Sequence, residues 1–281
     1  MEILAYTIAV LIGISLGLIG GGGSILTVPV LVYLLQIDPL MATTYSLFIV
    51  GITSVVGGAK AYTKKLIDFR AVALFGIPSI LSIFITRHFL LPAIPDYLFS
   101  FGDLAVTKDV LLMIFFALLM FAAAMSMIRN ELIPEPSEVN VHQAEPAPPG
   151  MSHVSGHHEP NLVLVLPGLF IGLVTGLLGA GGGFLIIPTL VVIIRMPMKI
   201  AVGTSLLIVA INSLFGFLFS LSIIQKEFDW TLMLVFTLLA VIGIIIGSKL
   251  SDRIPAETLK KAFGWFILVM GVYILIRELW L

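Results

Sequence analysis

Gly17-Leu-Ile-Gly20-Gly-Gly-Gly23-Ser24-Ile-Leu-Thr-Val-Pro29 decides the fold, because the chain carries it twice: Gly176-Leu-Leu-Gly179-Ala-Gly-Gly182-Gly183-Phe-Leu-Ile-Ile-Pro188 follows 159 residues later. Extended to Gly13–Gly57 against Gly172–Gly216, the segments share 18 of 45 residues without a gap. Shared apolar composition alone gives about 10% identity, so the chain contains an internal repeat. Beyond the glycines, Ala42, Ser46, Ser54 and Gly57 match Ala201, Ser205, Ser213 and Gly216. Glycine costs about 1 kcal/mol in a helix interior relative to Ala, so a run placed at equivalent points of both copies predicts a broken helix with a specific use.

The surroundings of each run are those of a membrane protein. Of 281 residues, 59% are hydrophobic and 11% charged, with a mean hydropathy of +1.15. Soluble domains run about 45–50% apolar and about 25% charged. The composition excludes an ordinary soluble enzyme, a nucleic-acid-binding domain and a disordered chain. A net charge of −1 offers no field to recruit a polyanion, so no nucleic-acid partner is expected. With zero cysteines there is no disulfide, thiolate metal site or thiol nucleophile.

A helix crosses the roughly 30 Å hydrocarbon core with about 20 apolar residues. The stretches Leu40–Thr63, Phe69–Leu91, Val106–Ile128, Met198–Gln225, Trp230–Ser248 and Leu259–Leu279 fit one crossing each. Glu2–Gln36 and Asn161–Arg195 are too long for one crossing, and each is interrupted midway by its glycine run. No ten-residue alternating strands occur, so helices rather than a barrel are expected. The start Met-Glu has no basic residue before Lys60, unlike a secretory signal, so the first segment is expected to be retained. The segment from Arg129 to Pro160 holds six prolines, five glutamates and four histidines and reads as a linker. The expected organisation is a first transmembrane repeat at 1–129, a polar linker at 130–160 and a second repeat at 161–281.

Charge orients the repeats. If each glycine-broken stretch crosses once, Lys and Arg divide seven against eight, with no bias. If each is a hairpin that enters and leaves on one side, the second copy is inverted. Eleven basic residues then share one face, opposed only by Arg87, Lys108, Lys226 and Arg277. Because cytoplasmic loops collect Lys and Arg, the expected fold is an all-α polytopic membrane protein of two inverted repeats. Each repeat starts with a glycine-broken helical hairpin followed by about three transmembrane helices, with both termini outside and the linker in the cytoplasm.

A helix interrupted within the bilayer leaves backbone N–H and C=O groups for a cavity or ligand to satisfy. Segments starting at Ser24 and Gly183 would aim helix N-termini at the break, a site for an anion. The candidate substrate-binding residues are therefore Gly20, Gly21, Gly22, Gly23 and Ser24 with Gly179, Gly181, Gly182 and Gly183. The spaced glycines Gly13, Gly17, Gly168, Gly172, Gly176, Gly243 and Gly247 read instead as helix-packing positions. Polar residues inside the second span of each repeat, Ser46 and Ser54 with Thr204, Ser205, Asn212 and Ser213, are candidates to line the path. Their competing role is bonding to their own helix carbonyls or to neighbouring helices.

Other motifs are weaker. Gly13-Ile-Ser15-Leu-Gly17 has the spacing of a nucleophile elbow but lies in an apolar helix, and the repeat partner of Ser15 is Val174. His142, His153, His157 and His158 could hold a metal, but a solvated linker lacks the supporting shell that fixes such ligands. No H-E-x-x-H, G-x-x-x-x-G-K or strand-borne G-x-G-x-x-G occurs, and no cofactor is expected.

The duplicated glycine run ending in proline, followed by Ala201-Val-Gly-Thr204-Ser205, resembles the sulfite exporter TauE/SafE family of membrane permeases. Asp68-Phe69 and Asp229-Trp230 look like that family's acidic-aromatic opening of the third span of each half. The first half departs from the pattern, reading Ala42-Thr-Thr-Tyr-Ser46. The resemblance implies a multi-pass protein of a prokaryotic plasma membrane that moves small sulfur-containing oxyanions such as sulfite or an organosulfonate, usually outward. Its expected partners are a small anionic substrate and the lipid bilayer, with a homo-oligomer left open. An anion channel is the alternative, and a membrane-embedded hydrolase using Ser15 or an assembly scaffold stand behind it.

Overall fold

The computed structural model describes residues 2–101, 104–128, 162–221, 228–250 and 256–280. The linker assigned to 130–160 lies outside them. Helix α1 spans Glu2–Ile19 and stops where Gly20 takes a left-handed φ of +76°, a conformation open to glycine at little cost. A 3-10 segment, Gly20–Leu26, leads into α2, Thr27–Tyr33. The chain doubles back here: a Cβ built on Gly23 would lie 2.6 Å from the backbone nitrogen of Leu16.

The second copy repeats the design with local differences. Helix α6, Leu162–Leu178, ends at Gly179, whose φ of +66° matches that of Gly20. Helix α7, Gly183–Pro188, then runs into a wider π-type turn at Thr189–Ile193. Gly182 folds back onto α6, 2.8 Å from Ile171 Cγ2 as measured from its built Cβ. Both hairpins end alike. Gln36 and Arg195 share a left-handed φ, of 54° and 56°. The N–H of Ile37 donates to Leu31 O and that of Met196 to Leu190 O, each at 3.1 Å. These pairs keep the sequence offset, so the repeat extends to the backbone.

Long helices follow each hairpin. In the first half these are α3, Pro39–Thr63, α4, Phe69–Ile85, and α5, Lys108–Ile128. In the second they are α8, Met198–Leu221, α9, Trp230–Leu250, and α10, Ala256–Trp280. Aspartates start several of them. Asp38 Oδ1 accepts from the N–H groups of Leu40 and Met41 with Pro39 in the first turn, and Asp68 and Asp229 cap α4 and α9 similarly. The chain is an all-α polytopic membrane protein, and the spans agree with those read from the sequence to within a few residues.

Two local features depart from that reading. Helix α4 does not end simply: a π-type turn at Thr86–Leu90 and one further turn at Leu91–Ala93 prolong it. A two-stranded antiparallel hairpin, β1 at Tyr97–Phe101 and β2 at Leu104–Thr107, then precedes α5. Its aromatic and β-branched residues favour strand, and its last two, Val106 and Thr107, were expected to open the helix that starts at Lys108.

The helices interlock across the two halves. Helix α1 lies on α9 with residue numbers rising together, Gly13 against Ala240 and Gly17 against Ile244–Ser248; α4 lies on α6 in the same sense, Phe75 on Gly168 and Thr86 on Gly176. The small residues let the backbones approach closely, as expected of the spaced glycines. Helices α3 and α8, which are repeat equivalents, run in opposite senses: Gly51 meets Leu214, Gly58 meets Leu207 and Gly216 meets Leu47. This pair forms the centre. In its most apolar stretch α3 is 72% buried and α8 61%, against 39% for α4 and α9, whose remaining apolar side chains form the outer face.

Candidate functional site

The glycine breaks meet at the α3/α8 crossing. A Cβ on Gly21 would lie 2.6 Å from Gly183 Cα, so the hairpin tips touch backbone to backbone. Gly20 faces α8, with Val202 Cγ1 at 2.9 Å and Ser205 Oγ at 3.4 Å from its built Cβ. Gly179 lies against Thr43 of α3, the repeat equivalent of Val202. Gly181 faces Ser213 Oγ at 2.8 Å and Val50 at 3.0 Å. Gly22 belongs to the same 3-10 segment. Ser46, Ser54, Thr204, Ser205, Asn212 and Ser213 are all fully buried.

Their hydrogen bonds separate them. Ser24 donates to Gly21 O at 2.7 Å and Ser205 to Val202 O at 2.8 Å, closing local turns. Asn212 Nδ2 donates to Ser79 Oγ at 2.7 Å, joining α8 to α4. The hydroxyls of Ser46, Ser54 and Ser213 and the amide oxygen of Asn212 have no partner among the described residues. Thr27 and Thr175, on the hairpin arms, add two more such hydroxyls. Buried polar atoms normally find partners, and two of these orphans lie against the second break, Ser213 Oγ by Gly181 and Thr175 Oγ1 by Gly182.

Thr204 has a different task. Its Oγ1 accepts from the N–H of Asp68 at 3.0 Å, tying the start of α4 to the other half. The N–H of Asp229, at the start of α9, donates to Tyr45 Oη at 2.7 Å. Tyr45 is the repeat equivalent of Thr204. The departure of the first half from the Ala-Val-Gly-Thr-Ser pattern therefore preserves the contact, with a phenol in place of a hydroxyl.

Sequence reasoning missed one residue. The charge count sets Arg87 among the four residues of the sparsely basic face, yet it is 1% exposed and the largest fully buried side chain of the chain's described part. The π-type turn carries it inward between α3, α4 and α8. Its Nη1 donates to Thr44 Oγ1 at 3.2 Å and Ser220 Oγ at 3.0 Å, while Nε and Nη2 have no partner among the described residues. Neighbouring residues place it beside the second break, since Thr86 lies on Gly176 and Thr43 on Gly179. Its position inside the apolar run Phe69–Leu91 was the available signal, because an ionisable residue within a span faces the bundle interior or a cavity.

Ser15 Oγ donates to Ile12 O at 2.7 Å along its own helix. Among the described residues no three His, Asp or Glu side chains gather as metal ligands, and the four linker histidines lie outside those residues.

Residues 5–274 match the family described as sulfite exporter TauE/SafE. A probable membrane transporter protein of Xylella fastidiosa is 28% identical over 276 residues, covering 95% of this chain and 92% of its own. Another from Bacillus subtilis is 23% identical over 281 residues, covering 95% and 96%. A third, from Methanocaldococcus jannaschii, is 32% identical over 117 residues, covering 40% and 43%. No solved structure matches significantly. With its membrane helices, its duplicated glycine breaks and this family match, the chain is a multi-pass membrane transporter and belongs to the sulfite exporter TauE/SafE family.

Proposed function

We propose that the protein is a secondary carrier that exports a small anion, such as sulfite or an organosulfonate, bound near mid-membrane between the two glycine breaks. The observation that carries this reading is the tip-to-tip meeting of Gly21 and Gly183, with Ser205 beside Gly20 and Ser213 beside Gly181. Glycine lets a ligand reach the backbone N–H groups, and the partnerless Ser46, Ser54, Ser213 and Asn212 oxygens supply polar contacts to the anion or its water. The full burial of these residues corresponds to an occluded state.

The same proposal takes the halves as inverted repeats, with the linker cytoplasmic. Support comes from the packing senses: α3 and α8 oppose each other, while α1 with α9 and α4 with α6 run together. A two-fold axis in the membrane plane produces that combination. Alternating access then arises from one repeat rocking against the other.

The test is flux of labelled sulfite and sulfoacetate in proteoliposomes containing the full chain. Saturable uptake accelerated by unlabelled anion on the far side is expected of a carrier. Flux that neither saturates nor responds to the far side would identify the anion channel instead. No flux of either anion would overturn the substrate class.

A further inference from the structure

We propose that Arg87 is the docking group that selects the transported anion. This rests on the anion-carrier reading above and specifies the chemistry of its substrate. A guanidinium has five N–H donors in a planar fork. Two belong to Nη1, and that nitrogen already meets Thr44 and Ser220. The remaining three, on Nε and Nη2, have no acceptor among the described residues, although the side chain is 1% exposed. Both partners it does have are neutral hydroxyls, so they orient the fork without neutralising it. A buried charge left in that condition is costly unless something completes it.

The free Nε/Nη2 edge is the one that pairs with two oxygens of a single group in the fork-to-fork manner. It therefore fits a sulfite, sulfonate or carboxylate head, whereas a monatomic halide can take only one apex of that geometry. Thr44 and Ser220 belong to the central pair α3 and α8, and Thr86 rests on Gly176 just before the second break, so an anion on Arg87 sits within the proposed transport path.

The site is single. The glycine packing aligns Thr86, on Gly176, with Gly247, on Gly17, so the place of Arg87 is taken in the second half by Ser248. Ser248 Oγ accepts from Lys60 Nζ at 2.9 Å, and that lysine is only half-buried. Among the described residues, one end of the α3/α8 crossing therefore carries a sealed fork and the other does not.

The experiment uses the purified full chain and its Arg87→Lys and Arg87→Gln variants, titrated with sulfite, sulfoacetate and chloride, reading anion-dependent melting and direct binding. In the unmodified protein both oxyanions should bind at least about tenfold more tightly than chloride. Arg87→Gln should weaken oxyanion binding about 10- to 100-fold. Arg87→Lys, which keeps the charge but loses the fork, should remove most of the preference over chloride. Equal oxyanion binding in a folded Arg87 variant overturns the proposal while leaving the carrier reading intact. Failure of the unmodified protein to bind either oxyanion overturns both. Should neither variant fold, the unmodified protein decides: chloride binding as tight as sulfite refutes a two-oxygen fork.

Discussion

Replacing Gly21 with alanine tests the central contact with a single methyl group. Its Cβ would stand 2.6 Å from Gly183 Cα, 3.2 Å from Gly183 C and 3.0 Å from Val209 Cγ2. Ordinary carbon–carbon contact is about 3.5–4.0 Å, so the tips must part by about 1 Å. Gly183 has no side chain to swing aside, so the strain falls on main chain on both sides. Overpacking of this kind costs about 1–3 kcal/mol, enough to lower the melting temperature without preventing insertion. Function should suffer more, because binding groups must hold position to within about 0.5 Å. We expect saturable sulfite flux in proteoliposomes to fall at least about tenfold. Gly76→Ala is the control: Gly76 lies within α4 with nothing inside 4 Å of its built Cβ, and its flux should match the unmodified protein. A Gly21→Ala protein with unchanged flux and melting would refute the idea that the tips form the site.

Three further predictions concern the contacts around that centre. Tyr45→Phe and Thr204→Val each remove an acceptor for a helix-starting N–H and should each cost about 1 kcal/mol, measured by thermal unfolding; no change in either would show the ties to be incidental. Ser79→Ala and Asn212→Ala should couple in a double-mutant cycle by about 0.6 and at most about 1.7 kcal/mol, whereas zero coupling would mean that their hydrogen bond contributes nothing. Ser15→Ala should leave flux and stability unchanged, because its hydroxyl bonds only its own helix; lost activity would revive the hydrolase reading.

Much of the fold was legible because it follows from one-dimensional rules. Spans are set by apolar length, and Gly20 and Gly179 mark the breaks through a backbone conformation that other residues avoid, whereas the caps made by Asp38, Asp68 and Asp229 came from the structure. The glycines at 13, 17, 243 and 247 were read correctly as packing positions, but not the partner of each, which depends on how the halves interlock. At the centre the sequence nominated polar residues that prove fully buried, without sorting their hydrogen-bonding roles. Ser205 and Ser213 lie one to each side of the glycine tips, yet one hydroxyl closes a local turn and the other has no partner, a distinction made by rotamers and neighbours. Arg87 escaped for a related reason. A cation a few residues from the end of an apolar run ordinarily snorkels to the interface, and only the π-type turn, with hydroxyls waiting on α3 and α8, draws it inward.

The seating of α1 on α9, and of α6 on α4, also bears on how the protein is made. The ribosome delivers α1 before the helices that separate it from its cradle α9, so the bare glycine flank of α1 must wait in lipid while they are made. Assembly is thus a closing of the first piece upon the late ones, and a chain cut short before Trp230 leaves that flank unclaimed.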